Sequence, residues 1–272
     1  MECSMSDYIE SDFGASTYET VQVVVADRVA YIILNKPPLN IFTIGMMKEI
    51  NDAINRLMKM PYICSIVFAA NPSSKAFSAG VSIEDHKQAT VYQMIENFHN
   101  IFRLLHSYSK PTIAVVNGPA LGGGCELVAF CDVVIASEKA KFGQPEIRLG
   151  VFPPMAAVIL PRVIGIKRAT EMILTGESID AIDAQSMGLV NFVVSEEQLE
   201  ERTLEVISCF RESSASVLEV TRRAIFTSFY PDFEEILSKV EEQYLLQLMS
   251  LKDPHEGLKA FMEKRKPVWK HK

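Results

Sequence analysis

Between Tyr18 and Ser137 the chain alternates β-branched apolar runs with stretches of helical period, and that alternation restricts the fold more than any other feature. Residues 18–35, YETVQVVVADRVAYIILN, are two Val- and Ile-rich runs around Asp27-Arg28, the pattern of a β-hairpin. After KPPLN, apolar positions at Ile44, Met47, Ile50, Ile54, Leu57 and Met58 repeat with a helical period that ends near Pro61. YICSIVFAA then reads as a buried strand, NPSSKAFSAG as a loop, and about Thr90 to Tyr108 as an amphipathic helix. PTIAVVNG is a further strand that ALGGGCELVAF turns into a short helix, and DVVIAS, residues 132–137, is another strand. A β, α, β, α, β, α, β order predicts a layered α/β core of parallel strands with right-handed crossovers.

From about residue 166 the spacing is helix-like throughout, in KRATEMILTG, DAIDAQSMGLV, EEQLEERTLEVISCFRES, SASVLEVTRRAIFTS and DFEEILSKVEEQYLLQLMS. The strands are expected to have stopped there. A helical last third after an α/β core suggests a cap or assembly region rather than a second catalytic fold. The expected division is a loose leader over 1–17, in which Met5 offers an alternative start, a core over 18–205 and a helical region over 206–272.

With 272 residues, 48% of them hydrophobic and 22% charged, the chain can bury a sizeable core. A formal net charge of −7 argues against a broad nucleic-acid footprint and against attraction to an anionic membrane. No apolar run approaches the roughly 18 residues a spanning helix needs, and acids in YIESDF stand where a signal peptide would carry basic residues. The five cysteines form an odd set without a C-x-x-C pair, which reads as reduced thiols in a cytoplasmic protein.

Gly122, Gly123 and Gly124 fall at a strand-to-helix turn, where a ligand can approach the backbone and the first helical N–H groups lack internal partners. The run is neither G-x-G-x-x-G nor a P-loop with its Lys-Ser/Thr, so a developing oxyanion suits it better than a phosphate. Glu126 follows in the first turn of the helix, and Glu146 comes 20 residues later in FGQPEIRLG. Taken singly, Glu126 could be an ordinary acid at a positive helix end, and Pro145 could simply place Glu146 at a helix start. Taken together, two carboxyls beside an oxyanion site are what addition of water to an activated double bond requires. One takes a proton from water, the other gives a proton to the carbon next to the carbonyl, and backbone amides hold the enolate oxygen meanwhile.

NKPPLN, KAFSAGVSIEDH, KPTIAVVNGPALGGGCELVAFCDVVIAS, AKFGQPEIRLGVFPP, LTGESIDAIDAQSMGLV and HEGLKAFMEKRKPVW, in that order, resemble the landmarks of the crotonase superfamily, the enoyl-CoA hydratase/isomerase family. The resemblance covers about residues 20–270. It implies a crotonase-like spiral core of repeated ββα turns, a C-terminal helical region that builds trimers, and a homotrimer or homohexamer. It places the amides of Val81 and Gly123 in an oxyanion hole for a thioester carbonyl, and it matches Glu126 and Glu146 to the two catalytic glutamates of the hydratases. Many members with isomerase or other activities keep one of these acids, so two favour a hydratase, with Glu126 activating water and Glu146 protonating the α-carbon.

By the same resemblance Ala79, Ser82, Ile83, Glu84 and Gly122 lie along the CoA thioester, and Phe152, Pro154 and Met155 line the acyl pocket. Lys75 and Lys264, with Arg265 and Lys266, are candidate partners for the CoA phosphates, or ordinary solvated charges. Coenzyme A enters only as part of the substrate; no permanent cofactor, metal, nucleic acid or membrane partner is implied. The sequence departs from the usual family pattern at Ser82, where an Asp is common, and at VFPPMAAVILPR, where a glycine-rich run is common. The added bulk is expected to reshape the acyl pocket and to reduce backbone donors to the water.

FSAGVSIEDH, MIENFHNIFRLL and GVFPP further resemble the cyclohexa-1,5-diene-1-carboxyl-CoA hydratases of anaerobic aromatic degradation. The alternative is a general enoyl-CoA hydratase/isomerase of fatty-acid-type β-oxidation; an alternative of another class is a non-catalytic RNA-binding or assembly protein on the same fold. His86, beside two acids, reads as a surface or supporting residue rather than a catalyst. His99 and His106 share a helix face, but no further ligand type clusters beside them to suggest a metal.

Overall fold

The computed structural model describes residues 18–272. The leader over 1–17 and the alternative start at Met5 lie outside the described residues. Strands β1 (Val21–Ala26) and β2 (Val29–Leu34) pair antiparallel across Asp27 and Arg28, both with positive φ, 46° and 68°. Two left-handed residues in a two-residue loop match the twist of the strands they join. Helix α1 (Ile44–Leu57) starts at Thr43, whose hydroxyl accepts from the amide of Met46, and buries Met47, Ile50, Ile54 and Leu57 on the face its spacing predicts.

The next crossover is β3 (Ser65–Ala70), α2 (Val91–Ser107) and β4 (Thr112–Val116), followed by the short β5 (Ala120–Leu121), α3 (Gly123–Phe130), β6 (Val133–Ser137) and β7 (Lys141–Gly143). A 3₁₀ turn over Pro145–Leu149 leads to α4 (Pro154–Val163) and α5 (Ile166–Thr175). Two strands then follow, β8 (Ser178–Asp180) and β9 (Phe192–Val194), separated by α6 (Ala181–Ser186). The expectation that strands end before residue 166 is therefore corrected. β9 pairs parallel with β6 and forms the far edge of the main sheet, while β8 pairs antiparallel with β7. Each has three residues, too few for alternation to stand out from the helical periods on either side.

The main sheet runs β1-β2-β3-β4-β6-β9, and a smaller one runs β5-β7-β8. From β2 to β9 the main sheet is parallel and covered on both faces, so its strands alternate between two cores. Ile66 and Phe68 of β3 face the larger cluster with α1 and α2. Val67, Ile113 and Ile135 face the other, where Leu199 and Ile207 of α7 (Leu199–Glu212) pack. The remaining helices are α8 (Ala215–Phe229), α9 (Phe233–Glu242), extended through one π-helical turn to Gln247, and α10 (Lys252–Met262). Residue 205 lies within α7, so one continuous helix spans the expected boundary.

Candidate active site

The turn before α3 is laced into its neighbours by backbone hydrogen bonds. Leu121 N donates to Ser78 O, Phe42 N to Gly80 O and Ser82 N to Phe42 O, each at 2.9 Å. These bonds set segment 78–82 beside the start of α3. Gly122 has φ +51°, and a Cβ there would fall on Oε1 of Glu146. Gly123 fits between the Val81 side chain and the Phe98 ring, where a Cβ would stand 2.8 Å from each. Among the described residues, the amides of Val81 and Gly123 donate to no carbonyl. Both N–H groups are thus left without a backbone acceptor.

Glu126, in the first turn of α3, is 3% exposed. Its Oε1 accepts a 2.7 Å hydrogen bond from Ala156 N at the start of α4. FPPMAAV therefore supplies this carboxyl with a donor from a helix N-terminus. Burial pushes the Glu126 carboxyl up to about 7, opposed by the amides of Ala156 and Met155. Burial, and then the charge of Glu126, raise Glu146 well above the ordinary carboxyl range. Oε2 of Glu146 is enclosed without a hydrogen-bond partner. Two such carboxyls, which cannot both ionise easily, leave one as a proton donor and the other as a proton acceptor near neutral pH.

Both border a cavity of about 470 Å³. Of the residues expected there, Ala79, Val81, Ile83, Gly122, Gly123, Phe152 and Pro154 line it with the two glutamates. Met155 is fully buried behind the wall. Ser82 and Glu84 are not among the lining residues. Ser82 O contacts Nδ1 of His86 at 2.8 Å, and Glu84 pairs with Lys87. Lys75 and Lys264 are exposed and outside the lining, whereas Arg265 borders both this cavity and a second depression carrying Lys252, His255, Lys259 and Lys270. His86 lines the cavity, and burial lowers its pKa.

Sequence reasoning did not place Phe98, His99 and Tyr244 in the wall. Phe98 and His99 are neighbours on α2, and Tyr244 arrives from the turn after α9, far along the chain. His99 Nδ1 meets Glu241 at 2.7 Å, and His106 stacks on Phe233 with centroids 4.7 Å apart. Among the described residues no group of three or more His, Cys, Asp or Glu could hold a metal ion. Cys64, Cys125, Cys131 and Cys209 are free thiols. No helix among the described residues is long and apolar enough to cross a membrane.

A family model described as enoyl-CoA hydratase/isomerase matches residues 25–272. A probable enoyl-CoA hydratase of Mycobacterium bovis is 38% identical over 259 residues, covering 94% of this chain and 100% of that one. A cyclohexa-1,5-dienecarbonyl-CoA hydratase of Thauera aromatica is 32% identical over 243 residues, 88% of this chain and 92% of the relative. The crystal structure of an enoyl-CoA hydratase from Mycobacterium avium subsp. paratuberculosis superposes with a TM-score of 0.82 at 26% identity, covering 92% of this chain and 98% of the other. The two-sheet core and its helical C-terminal region are thus the fold that the motif resemblance implied.

Proposed function

The chain belongs to the enoyl-CoA hydratase/isomerase family, and from that premise we propose that it is a hydro-lyase adding water to, or removing it from, an α,β-unsaturated CoA thioester. The observation that carries this reading is the pair Glu126, buried, and Glu146, half-buried, both raised and both on one cavity beside Val81 and Gly123. In the proposed reaction the thioester oxygen sits between the Val81 and Gly123 amides. Ionised Glu126 takes a proton from water as the water oxygen bonds to the β-carbon. The π electrons move onto the carbonyl oxygen as an enolate, which collapses as the α-carbon takes the proton of Glu146. The proton gained by Glu126 then returns to Glu146, closing the cycle. Each oxyanion donor is worth roughly 10²–10³-fold in rate.

Two observations support a cyclic acyl group, the cyclohexa-1,5-diene-1-carboxyl thioester, over a simple short chain. Phe98, Phe152 and Pro154 wall the cavity with flat or rigid surfaces, and the Thauera aromatica relative bears that substrate in its name. General fatty-acid-type hydration is the alternative. A partnering homotrimer or homohexamer goes with the reading: Val217, Val220, Ile225 and Phe229 of α8 are exposed large apolar side chains that copies of the chain would cover. A cytoplasmic location belongs to the same reading.

The test is loss of enoyl absorbance with crotonyl-CoA and with cyclohexa-1,5-diene-1-carbonyl-CoA, side by side, using Glu126→Gln and Glu146→Gln as controls. Full activity in both variants overturns the mechanism. A salt-sensitive RNA complex with no thioester turnover would favour the non-catalytic RNA-binding or assembly reading.

A further inference from the structure

The cavity wall contributed by α2 and the turn after α9 carries two polar groups for which the proposed chemistry has no use. Nε2 of His99 and the hydroxyl of Tyr244 are both enclosed, both on residues lining the cavity, and neither has a hydrogen-bond partner. His99 is 0% exposed and Tyr244 1%. A buried polar group left unpaired is destabilising, and such groups are normally matched by something. The wall's other ionisable side chains are Glu126, Glu146, His86, Arg148 and Arg265, but of the lining residues only the two acids, His99 and Tyr244 carry an enclosed side-chain oxygen or nitrogen that the proposed chemistry or an unmet bond singles out.

The protonation of His99 follows from its other side. Nδ1 lies 2.7 Å from Oε1 of Glu241, and Nη2 of Arg103 donates to Oε2 of the same carboxylate at 2.9 Å. Hydrogen bonds from His99 and Arg103 hold the Glu241 carboxyl down to about 2 against its burial. An ionised carboxylate only accepts, so Nδ1 must carry the proton. Burial keeps the ring neutral, which leaves Nε2 as a lone-pair acceptor. Tyr244 stands three residues after Glu241 on the same helical run, with its ring edge-on to Phe152 at 5.3 Å. Burial, and the neighbouring Glu146 and Glu126, keep its hydroxyl protonated. It can donate once and accept.

We propose that His99 and Tyr244 form a hydroxyl subsite, so that the preferred substrate is a thioester whose acyl group carries a hydroxyl beyond the reacting double bond. This deepens, and rests on, the thioester reading of the cavity. A hydroxyl donates to Nε2 of His99 and accepts from Tyr244, satisfying both. A ketone or ether oxygen accepts only and leaves His99 unpaired. An ammonium has no lone pair to accept from the Tyr244 hydroxyl, and a carboxylate has no proton to give Nε2 of His99. Glu241, pinned by Arg103, which itself bonds Glu234 at 3.0 Å, fixes the tautomer and orientation of His99.

The test measures binding, so that it stands apart from turnover. Calorimetry on the full chain compares hexanoyl-CoA with its 4-, 5- and 6-hydroxy derivatives, and cyclohexanecarbonyl-CoA with its 3- and 4-hydroxy derivatives. At least one hydroxy compound is expected to bind roughly tenfold or more tightly than its parent, since a site built to bond a hydroxyl discriminates against its absence. That ratio is expected to collapse in Tyr244→Phe, which loses only an unpartnered oxygen, and in His99→Asn, whose amide N–H can still reach Glu241 while Nε2 is gone. A merely structural role would weaken parent and derivative together and leave the ratio intact. Equal or weaker binding of every hydroxy compound, as expected if only water bridges the two groups, overturns the proposal, as does a ratio that survives both substitutions. Hydration of enoyl-CoA without a hydroxyl preference defeats the subsite alone; a preference without hydration defeats the hydratase reading alone.

Discussion

Oε1 of Glu146 lies against the α-carbon of Gly122, in the volume that a side chain at position 122 would occupy. The acid and the turn that presents the neighbouring amide are therefore fitted to each other. Gly122→Ala is expected to displace Glu146 and to strain a backbone at φ +51°. Misplacing one proton donor by about an ångström costs on the order of 10²-fold in kcat. Steady-state kinetics should show that loss with KM within a fewfold and with an unchanged circular dichroism spectrum. A kcat close to that of the parent chain would mean that Glu146 is free to move without consequence.

The pH profile follows from the two raised carboxyls. In the proposed reaction Glu126 must be ionised to accept a proton and Glu146 must be protonated to give one. Burial raises Glu126 to about 7, so log kcat/KM should climb with unit slope below that value. It should fall again where Glu146, raised by burial and by the charge of Glu126, loses its proton at higher pH. These limbs belong to the pair rather than to either residue. Rates measured across roughly pH 5 to 10 check this, and a flat profile from about 5.5 to 8 would contradict it.

Much of this was legible in the sequence. The two-residue hairpin, the helical periods of α1 and α2 and the order of the core strands follow local patterns that the folded chain keeps. The motif run carried the glycine turn and both glutamates to one cavity. β8 and β9 were not legible, because three residues cannot establish a period. His99 and Glu241 are 142 positions apart, and Tyr244 sits in a helical segment whose pattern announces only an amphipathic face. A contact made by folding between distant, individually ordinary residues leaves no local signature. Likewise FPPMAAV showed its bulk in sequence but concealed the Ala156 amide that it offers to Glu126.

Raised carboxyls also make a stability prediction. The folded-state value of Glu126 lies above its usual value of 4.5, so its contribution is fully present below about 4.5 and is lost as pH rises through about 7. Glu146 acts in the same direction, to higher pH. Glu126→Gln should therefore be more stable than the parent chain at pH 8, by on the order of 2 kcal/mol, and indistinguishable near pH 4. Because an amide oxygen can still accept from Ala156 N, the substitution should not disturb α4. Urea unfolding at the two pH values tests it; equal differences at both would show that Glu126 carries no such penalty.

The C-terminal helices are tied to the core at one buried cation. Arg222 of α8 is 4% exposed; its Nε donates to Oδ2 of Asp132 at 2.7 Å, and Nη1 donates to the carbonyls of Leu105 and Tyr108. Asp132 also accepts from the amide and hydroxyl of Thr112. Arg222→Met leaves that carboxylate and two carbonyls short of a donor and should cost about 3 kcal/mol. Adding Asp132→Asn should recover part of the loss, because it removes the unpaired charge. Denaturant midpoints of the three variants decide the matter, and strict additivity would deny the coupling.

The proposed substrate brings a polyanionic carrier to a chain of net charge −7, which calls for local cations, and the depression beside the cavity carries Lys252, Lys259 and Lys270. Arg265, which borders both hollows, is partly neutralised by Glu256 at 2.6 Å, so the lysines should carry most of the attraction. Exchanging Lys259 and Lys270 for Glu is expected to raise KM for a CoA thioester roughly tenfold at low salt, with kcat within about twofold. Added salt should shrink the difference, since exposed charges are screened over about 10 Å at 0.1 M. A pantetheine thioester of the same acyl group, which lacks the nucleotide phosphates, should show no difference between the two proteins. A tenfold rise that persists with pantetheine would place the effect on the acyl end and detach the lysine patch from the carrier.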